Sequence, residues 1–174
     1  MREALAALRP AVQRHPGPVR DNRPQAPNTM ETFAHHPDLA RAFFTFNGHV
    51  LFGTTLTARH RQILVLRVAT RRKAAYVWAQ HVFLARDAGL TDEEIARIAF
   101  GPQAPFVDTV ERALLRAVDE LIDDGAISDE TWHMLEAKLG VRQLLDVIFT
   151  VGCYETTSWF FRSVEVEVDP GQTE

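Results

Sequence analysis

The stretch TARHRQILVLRVATRRKAAYVWAQHVFLARDAGL, residues 57–90, decides the fold of this chain. Thr57 predicts a helix N-cap, and the residues after it are apolar on nearly every side and contain no proline or glycine. The basic residues 71–73 are typical of the last turn of such a helix. A further helix is predicted from about Ala75 to Ala88, with Gly89 as its stop. Two consecutive helices are therefore expected, the first of them centrally buried.

Helical spacing also dominates outside this stretch. Apolar residues recur three and four positions apart, and Thr91 with Glu94 has the spacing of a capping box. The pattern predicts an all-α fold, with further helices near residues 37–50, 91–99, 107–121, 128–139 and 142–164. The alternating residues 164–168 are instead typical of a short extended strand.

Length and composition favour a single domain. A chain of 174 residues that is 46% hydrophobic can bury one sizeable core. Residues 10–28 contain five prolines, which resist packing into helices or sheets. We therefore predict an extended N-terminal arm over residues 1–29 and one helical domain over residues 30–170.

Charge and cysteine content narrow the functional classes. The formal net charge of −4 gives no electrostatic basis for binding nucleic acid. Residues 1–10 lack a secretory hydrophobic region, and no stretch has the length of a membrane span. The lone cysteine, Cys153, cannot form a dithiol centre within one chain and favours a reducing compartment. We expect a cytoplasmic protein with neither a membrane nor a nucleic-acid partner.

His81 is the strongest candidate for a functional residue. Histidine is the side chain that changes charge near neutral pH, so it can act as a general acid or base. Its helical neighbours are apolar and include Val77, Trp78, Leu84 and Ala85, which predicts a buried, neutral ring. The same surroundings fit a core histidine with one hydrogen-bond partner, and spacing alone leaves both interpretations open.

Several other side chains could contribute to a site. The Tyr76 phenol can donate to a substrate oxygen, and the Trp78 indole can form the wall of a ligand pocket, although aromatic residues at helical spacing also build cores. Arg67 could bind a carboxylate in bidentate fashion, as could the arginines at 71 and 72, unless these are exposed charges at a helix end. No zinc pattern accompanies the histidines, so no metal or cofactor is expected; they include His35, His36, His49 and His60.

Residues 57–90, the TDEEI segment after them and the aromatic last helix ending in VEVEVDP resemble the carboxymuconolactone decarboxylase family, which includes the alkylhydroperoxidase D-like proteins. The resemblance covers most of residues 30–170. It implies an all-α alkylhydroperoxidase D-like bundle that assembles as a homo-oligomer, a trimer or hexamer, with sites near subunit contacts.

The redox members of that family carry Cys-x-x-Cys-x-x-x-His, with a glutamate twelve residues before the first cysteine. Alignment on His81 puts Ala74 and Val77 at the cysteine positions and Gln62 at the glutamate position. Dithiol peroxide chemistry needs an attacking thiolate and a resolving thiol, which neither Ala74 nor Val77 can supply. Gln62 is a neutral amide that orients a partner without titrating.

The sequence thus predicts acid–base chemistry of the decarboxylase, lactone or isomerase type, without dithiol peroxidase activity. In this hypothesis His81 transfers the proton, and Gln62 orients either His81 or the substrate through its amide. Tyr76 donates a hydrogen bond, and Trp78 and Arg67 bind the substrate. The resemblance implies a small cyclic or aromatic acid as that substrate. Two alternatives remain: a non-catalytic ligand-binding or assembly protein on the same scaffold, and a peroxidase that uses Cys153 with an external thiol.

Overall fold

Helix α4 (Ala58–Arg71) lies at the centre of the fold in the computed structural model, which describes residues 2–16, 27–105 and 108–168. Thr57 caps it as predicted, because its hydroxyl accepts from the backbone N–H of His60 at 3.1 Å. Residues 61–69 are all buried, which confirms the predicted central position. Four other helices pack around α4: α5 (Ala75–Asp87), α6 (Asp92–Phe100), α7 (Thr109–Asp123) and α9 (Val141–Ser163).

The described residues form helices without strands, which confirms the all-α prediction. The predicted capping box is present, with Thr91 and Glu94 bonded reciprocally at the start of α6. The predicted start of the following helix at Val107 lies outside the described residues, and its first described turn is capped by Asp108. In chain order the helices are α1 (Arg2–Ala6), α2 (Pro27–Ala34), α3 (Pro37–Gly48), α4 (Ala58–Arg71), α5 (Ala75–Asp87), α6 (Asp92–Phe100), α7 (Thr109–Asp123), α8 (Asp129–Glu136) and α9 (Val141–Ser163), with a π-helix at His49–Gly53 between α3 and α4.

The N-terminal segment differs from the extended arm predicted for residues 1–29. Residues Arg2–Ala6 form α1, which packs on α3, and Pro27 already begins α2; residues 17–26 lie outside the described residues. A side chain at Gly48 would meet the Leu8 carbonyl oxygen at 2.2 Å, so the segment touches the α3 backbone directly. The composition of the segment predicted an arm because composition cannot show a contact with a glycine that lies far away in the sequence.

The C-terminal tail also differs from its prediction. Residues 164–168 form no strand, so the predicted strand is wrong. The Val166 N–H donates to the Phe161 carbonyl at 3.0 Å, and the Glu167 carbonyl accepts from Asn28 Nδ2 at 3.0 Å. Strand-like alternation cannot form a ladder where every neighbour is a helix. No helix in the described part of the chain is long and apolar enough to cross a bilayer.

Candidate functional site

His81 lies at the junction of three helices and is hydrogen-bonded on both ring nitrogens. Its Nδ1 is 2.8 Å from Gln62 Oε1 on α4, and its Nε2 is 3.0 Å from the Tyr154 hydroxyl on α9. The tyrosine ring stands edge-on to the imidazole, with ring centroids 4.9 Å apart. We call Arg61, Gln62, His81 and Tyr154 the central polar cluster.

The hydrogen bonds of this cluster fix the proton positions. An amide oxygen only accepts, so Nδ1–H of His81 donates to Gln62, and Nε2 then accepts the hydroxyl proton of Tyr154. Burial, together with the positive charge of Arg61, lowers the pKa of His81 to about 3. Burial raises the pKa of Tyr154. At neutral pH the pair is therefore a neutral imidazole and a protonated phenol.

Arg61 is the unusual member of the cluster, because it is a buried cation that pairs with no anion among the described residues. It is 7% exposed, and one of its terminal nitrogens donates to the Leu51 carbonyl oxygen at 2.6 Å. It forms no ion pair with any described residue, and its Nε is buried without a hydrogen-bond partner among them. Gln62 Nε2 is unpartnered in the same way. The cluster thus contains two buried donors, Arg61 Nε and Gln62 Nε2, that have no acceptor among the described residues.

The structure brings Gln62 to His81, as the spacing of the family motif implies, but it places the other predicted site residues elsewhere. The Tyr76 hydroxyl accepts from Thr29 Oγ1 at 2.9 Å. Trp78 is partly buried against the hydrophobic core and lines a cavity between α5 and α6 together with Ile95. Neither ring belongs to the central polar cluster.

Arg67, predicted to bind substrate, instead joins helices. Its Nε and one terminal nitrogen each lie 2.8 Å from an Asp119 carboxylate oxygen, and the other terminal nitrogen donates to the Ala99 carbonyl at 2.9 Å. The arginines at 71 and 72 pair with carboxylates as well. Arg67 therefore has a carboxylate partner within the protein, whereas Arg61 has none among the described residues.

Sequence reasoning missed Arg61 and Tyr154. Arg61 precedes Gln62 in the same helical turn, a position that marked it no more than the other arginines of α4. Tyr154 stood in an apolar stretch, where a buried phenol needs a hydrogen-bond partner. This need could have marked Tyr154 as a polar group of the core, but it does not identify His81 as the partner.

The two positions that carry cysteines in redox members of the family lie in the hydrophobic core of this chain. Ala74 and Val77 are each 2% exposed. Cys153 is fully buried, and its sulfur lies 3.5 Å from Asn47 Nδ2. Burial raises the pKa of this thiol, which keeps it in the unreactive protonated form.

Comparison with solved structures gives the fold independently. An AhpD-type antioxidant defence protein of unknown function from Agrobacterium tumefaciens superposes with a TM-score of 0.73 at 20% identity, over 79% of this chain and 95% of that one. An uncharacterized peroxidase-related protein with an AhpD core from Ralstonia eutropha gives 0.74 at 17% identity, over 83% and 78%. An uncharacterized peroxidase-related protein from Silicibacter gives a TM-score of 0.73 at 14% identity, over 82% of this chain and 76% of that one.

At these identities the structures establish the alkylhydroperoxidase D-like fold. No curated protein is significantly similar to the chain in sequence. The model of the carboxymuconolactone decarboxylase family matches residues 37–120, which include α3 to α6 and the Gln62–His81 pair. Residues 37–120 therefore match the carboxymuconolactone decarboxylase family, within a chain that has an alkylhydroperoxidase D-like fold.

Proposed function

We propose that this chain binds a small carboxylic acid at Arg61 and performs acid–base chemistry on it, of the decarboxylase, lactone or isomerase type. The observation that carries the proposal is the buried guanidinium without an anion among the described residues. A buried charge is costly unless it is paired, and the planar guanidinium matches a carboxylate in bidentate geometry. In this proposal Arg61 takes the role that the sequence suggested for Arg67.

The remaining cluster residues would then act on the bound acid. Gln62 Nε2 is a donor suited to an oxygen on which negative charge develops, as in an enolate, and the Tyr154 hydroxyl would have to turn away from His81 Nε2 to act as a second donor. Tyr154 thus replaces Tyr76 as the proposed hydrogen-bond donor. A small cyclic or aromatic acid is the proposed substrate class, in keeping with the family.

Ligand binding would also raise the pKa of His81. The positive charge of Arg61 is one of the two causes that lower the pKa of His81. A bound carboxylate would offset that charge, so the pKa of the imidazole would rise towards the range useful for proton transfer. In this proposal the ring becomes a competent base only when the acid is bound, which would suppress proton transfer in the empty site.

A non-catalytic ligand-binding or assembly protein is the second candidate. Its supporting observation is the burial of the cluster, since His81 is 7% exposed and Gln62 is fully buried. Such burial suits a core hydrogen-bond network as well as a closed site. Binding of an acid without any turnover would favour this candidate over the enzyme.

The test compares Arg61→Met with Arg61→Lys, which keeps the positive charge. Benzoate and cyclohexanecarboxylate serve as probes in thermal unfolding, and a panel of cyclic and aromatic acids is assayed for turnover. Stabilisation of about 2.7 kcal/mol is expected when the acid is present at about 100 times its Kd. Arg61→Met should abolish the stabilisation by cyclohexanecarboxylate and reduce that by benzoate, and Arg61→Lys should retain part of both.

The unliganded variant gives an independent readout. Because Arg61→Met removes an unpaired buried charge, the free energy of unfolding without ligand should stay equal or rise. Strong destabilisation of the empty protein, with unchanged response to both acids, would mean that Arg61 is structural and would refute the proposal.

We also propose that the chain lacks hydroperoxide reductase activity. The core positions of Ala74 and Val77 and the buried thiol of Cys153 support this. Incubation with an alkyl hydroperoxide and a dithiol donor should therefore give no turnover above the rate of the donor alone. Turnover in the wild type that disappears in Cys153→Ser would contradict it.

Assembly into a homo-oligomer, a trimer or hexamer, stays a prediction. The exposed rings of Phe100 and Trp159, which are 80% and 56% accessible, support it because large apolar residues at a surface favour a protein contact. Sedimentation velocity at micromolar concentration would test it.

A further inference from the structure

A second candidate site lies apart from the central polar cluster. A cavity of about 480 Å³ opens between the end of α3, the π-helix and the start of α9. Its wall includes Asp146, which precedes Tyr154 by eight residues on α9, or about 12 Å of helical rise. The volume falls within the range of small-molecule sites, about 300–1,000 Å³.

A fixed histidine–aspartate pair forms one side of this cavity. Asp146 Oδ1 lies 3.0 Å from His49 Nε2, while Oδ2 accepts from the backbone N–H and the hydroxyl of Thr55, both at 2.6 Å. Burial opposes ionisation of Asp146, but these bonds outweigh it and lower the pKa of the carboxyl. With both carboxylate oxygens occupied, Asp146 orients His49 and has little left to offer a ligand.

His49 lies in an uncommon type of helix. His49 begins the π-helix, a rare element that is frequent at functional sites. The carbonyls that end this element are tied down by the N-terminal segment, since Arg14 donates through its backbone N–H to Phe52 O at 2.7 Å and through its side chain to Gly53 O. The segment therefore supports the cavity wall.

The charge left over in the cavity is positive. Arg142, on the first turn of α9, is exposed and has no ion pair or hydrogen bond with a described residue. The side chain of Arg14 makes one backbone hydrogen bond and lines the same space. Asp146 is a single carboxylate, whereas Arg14 and Arg142 contribute two guanidinium groups, so the side chains that line the cavity carry a net positive charge that favours an anionic ligand.

The opposite wall is apolar and accessible. Phe46 and Phe149 meet edge to face with ring centroids 6.1 Å apart, and they are 37% and 56% exposed. Leu145, which is 51% exposed, completes this wall. Two accessible aromatic faces beside a guanidinium suit a ligand that has a planar apolar body and a charged end.

From these contacts we infer that the cavity between α3 and α9 binds an aromatic carboxylate, with its ring against Phe46 and Phe149 and its carboxylate on Arg142. The inference does not depend on the proposed function, because Arg61 and the central polar cluster take no part in it. The histidine–aspartate pair forms part of the cavity wall: His49 donates through Nε2–H to Asp146, which holds the imidazole in place.

Calorimetric titration with phenylacetate tests this site, with acetate and 2-phenylethanol as probes that lack the ring and the charge respectively. Arg142→Gln is compared with Arg162→Gln, a second exposed arginine of α9 outside the cavity. Loss of a charged hydrogen bond should weaken phenylacetate binding about tenfold or more in Arg142→Gln. Arg162→Gln should bind as the wild type does, and acetate and 2-phenylethanol should bind at least tenfold more weakly than phenylacetate.

Repeating the titration in Arg61→Met separates the two sites. Phenylacetate binding that persists there and is lost in Arg142→Gln supports this site, whatever becomes of the Arg61 proposal. Absence of binding in Arg61→Met, or equal weakening by Arg142→Gln and Arg162→Gln, overturns it. Dissociation of an oligomer by Arg142→Gln and Phe149→Ser, with no phenylacetate binding, also overturns it and assigns the surface to a second copy of the chain.

Discussion

Arg67→Met is expected to lower the free energy of unfolding by about 3 kcal/mol, the lower end of the cost of breaking a buried ion pair. The change leaves the Asp119 carboxylate without its bidentate partner and frees the Ala99 carbonyl. Packing adds to the loss, because the guanidinium lies so close to Gly101 that a Cβ there would be 2.5 Å from it. Urea unfolding of wild type and variant measures the difference.

Arg71→Met is the matched control. Arg71 pairs with the same Asp119 at 2.7 Å, but its side chain is 26% exposed and its second partner, Asp123, is 56% exposed. Exposed pairs contribute about 0–1 kcal/mol, so this variant should lose far less stability. A loss as large as that of Arg67→Met would show that burial does not distinguish the two arginines.

The comparison of Arg67 with Arg61 also shows how far the sequence could predict the site. Both arginines lie on α4, six residues apart, and both are 7% exposed. What distinguishes them is Asp119 on α7, 52 residues from Arg67 in sequence. A single sequence does not reveal such a partner, so it gave no basis for choosing Arg61 over Arg67 as the carboxylate anchor that we now propose.

The local signals of the fold were more informative. Caps such as Thr57 and the Thr91–Glu94 box act within one turn, so the sequence contains all of their geometry. The docking of α1 depends on the fit of Leu8 against Gly48, forty positions away, and the prediction failed there. The Gln62–His81 contact was implied by family spacing, whereas Tyr154 reaches His81 from 73 residues away and was missed.

Stability should depend on pH through His81. Its pKa is about 3 in the folded chain, against 6.5 for an unperturbed histidine. Between those values the unfolded chain binds more protons than the folded one, so acid favours unfolding. The stabilisation is complete above pH 6.5 and is lost as the pH falls towards 3. The slope attributable to this ring is at most about 1.4 kcal/mol per pH unit.

His81→Gln isolates that slope. At pH 7.5 the variant should be less stable by about 1–3 kcal/mol, because one amide cannot reproduce both ring hydrogen bonds and leaves a buried group unpaired. Between pH 6.5 and 4.5 its free energy of unfolding should fall less steeply than that of the wild type, while the titration of His15, His60 and Glu94 affects both proteins alike.

Urea unfolding at intervals of one pH unit measures both slopes, and Arg61→Met supplies a third. Desolvation is the first cause of the lowered pKa of His81 and the charge of Arg61 is the second, so removing that charge should give a slope between those of the wild type and His81→Gln. Parallel profiles for wild type and His81→Gln would mean that the folded chain protonates His81 as readily as the unfolded one. The imidazole would then have access to solvent, and the closed, neutral Tyr154–His81–Gln62 network would not describe the folded protein.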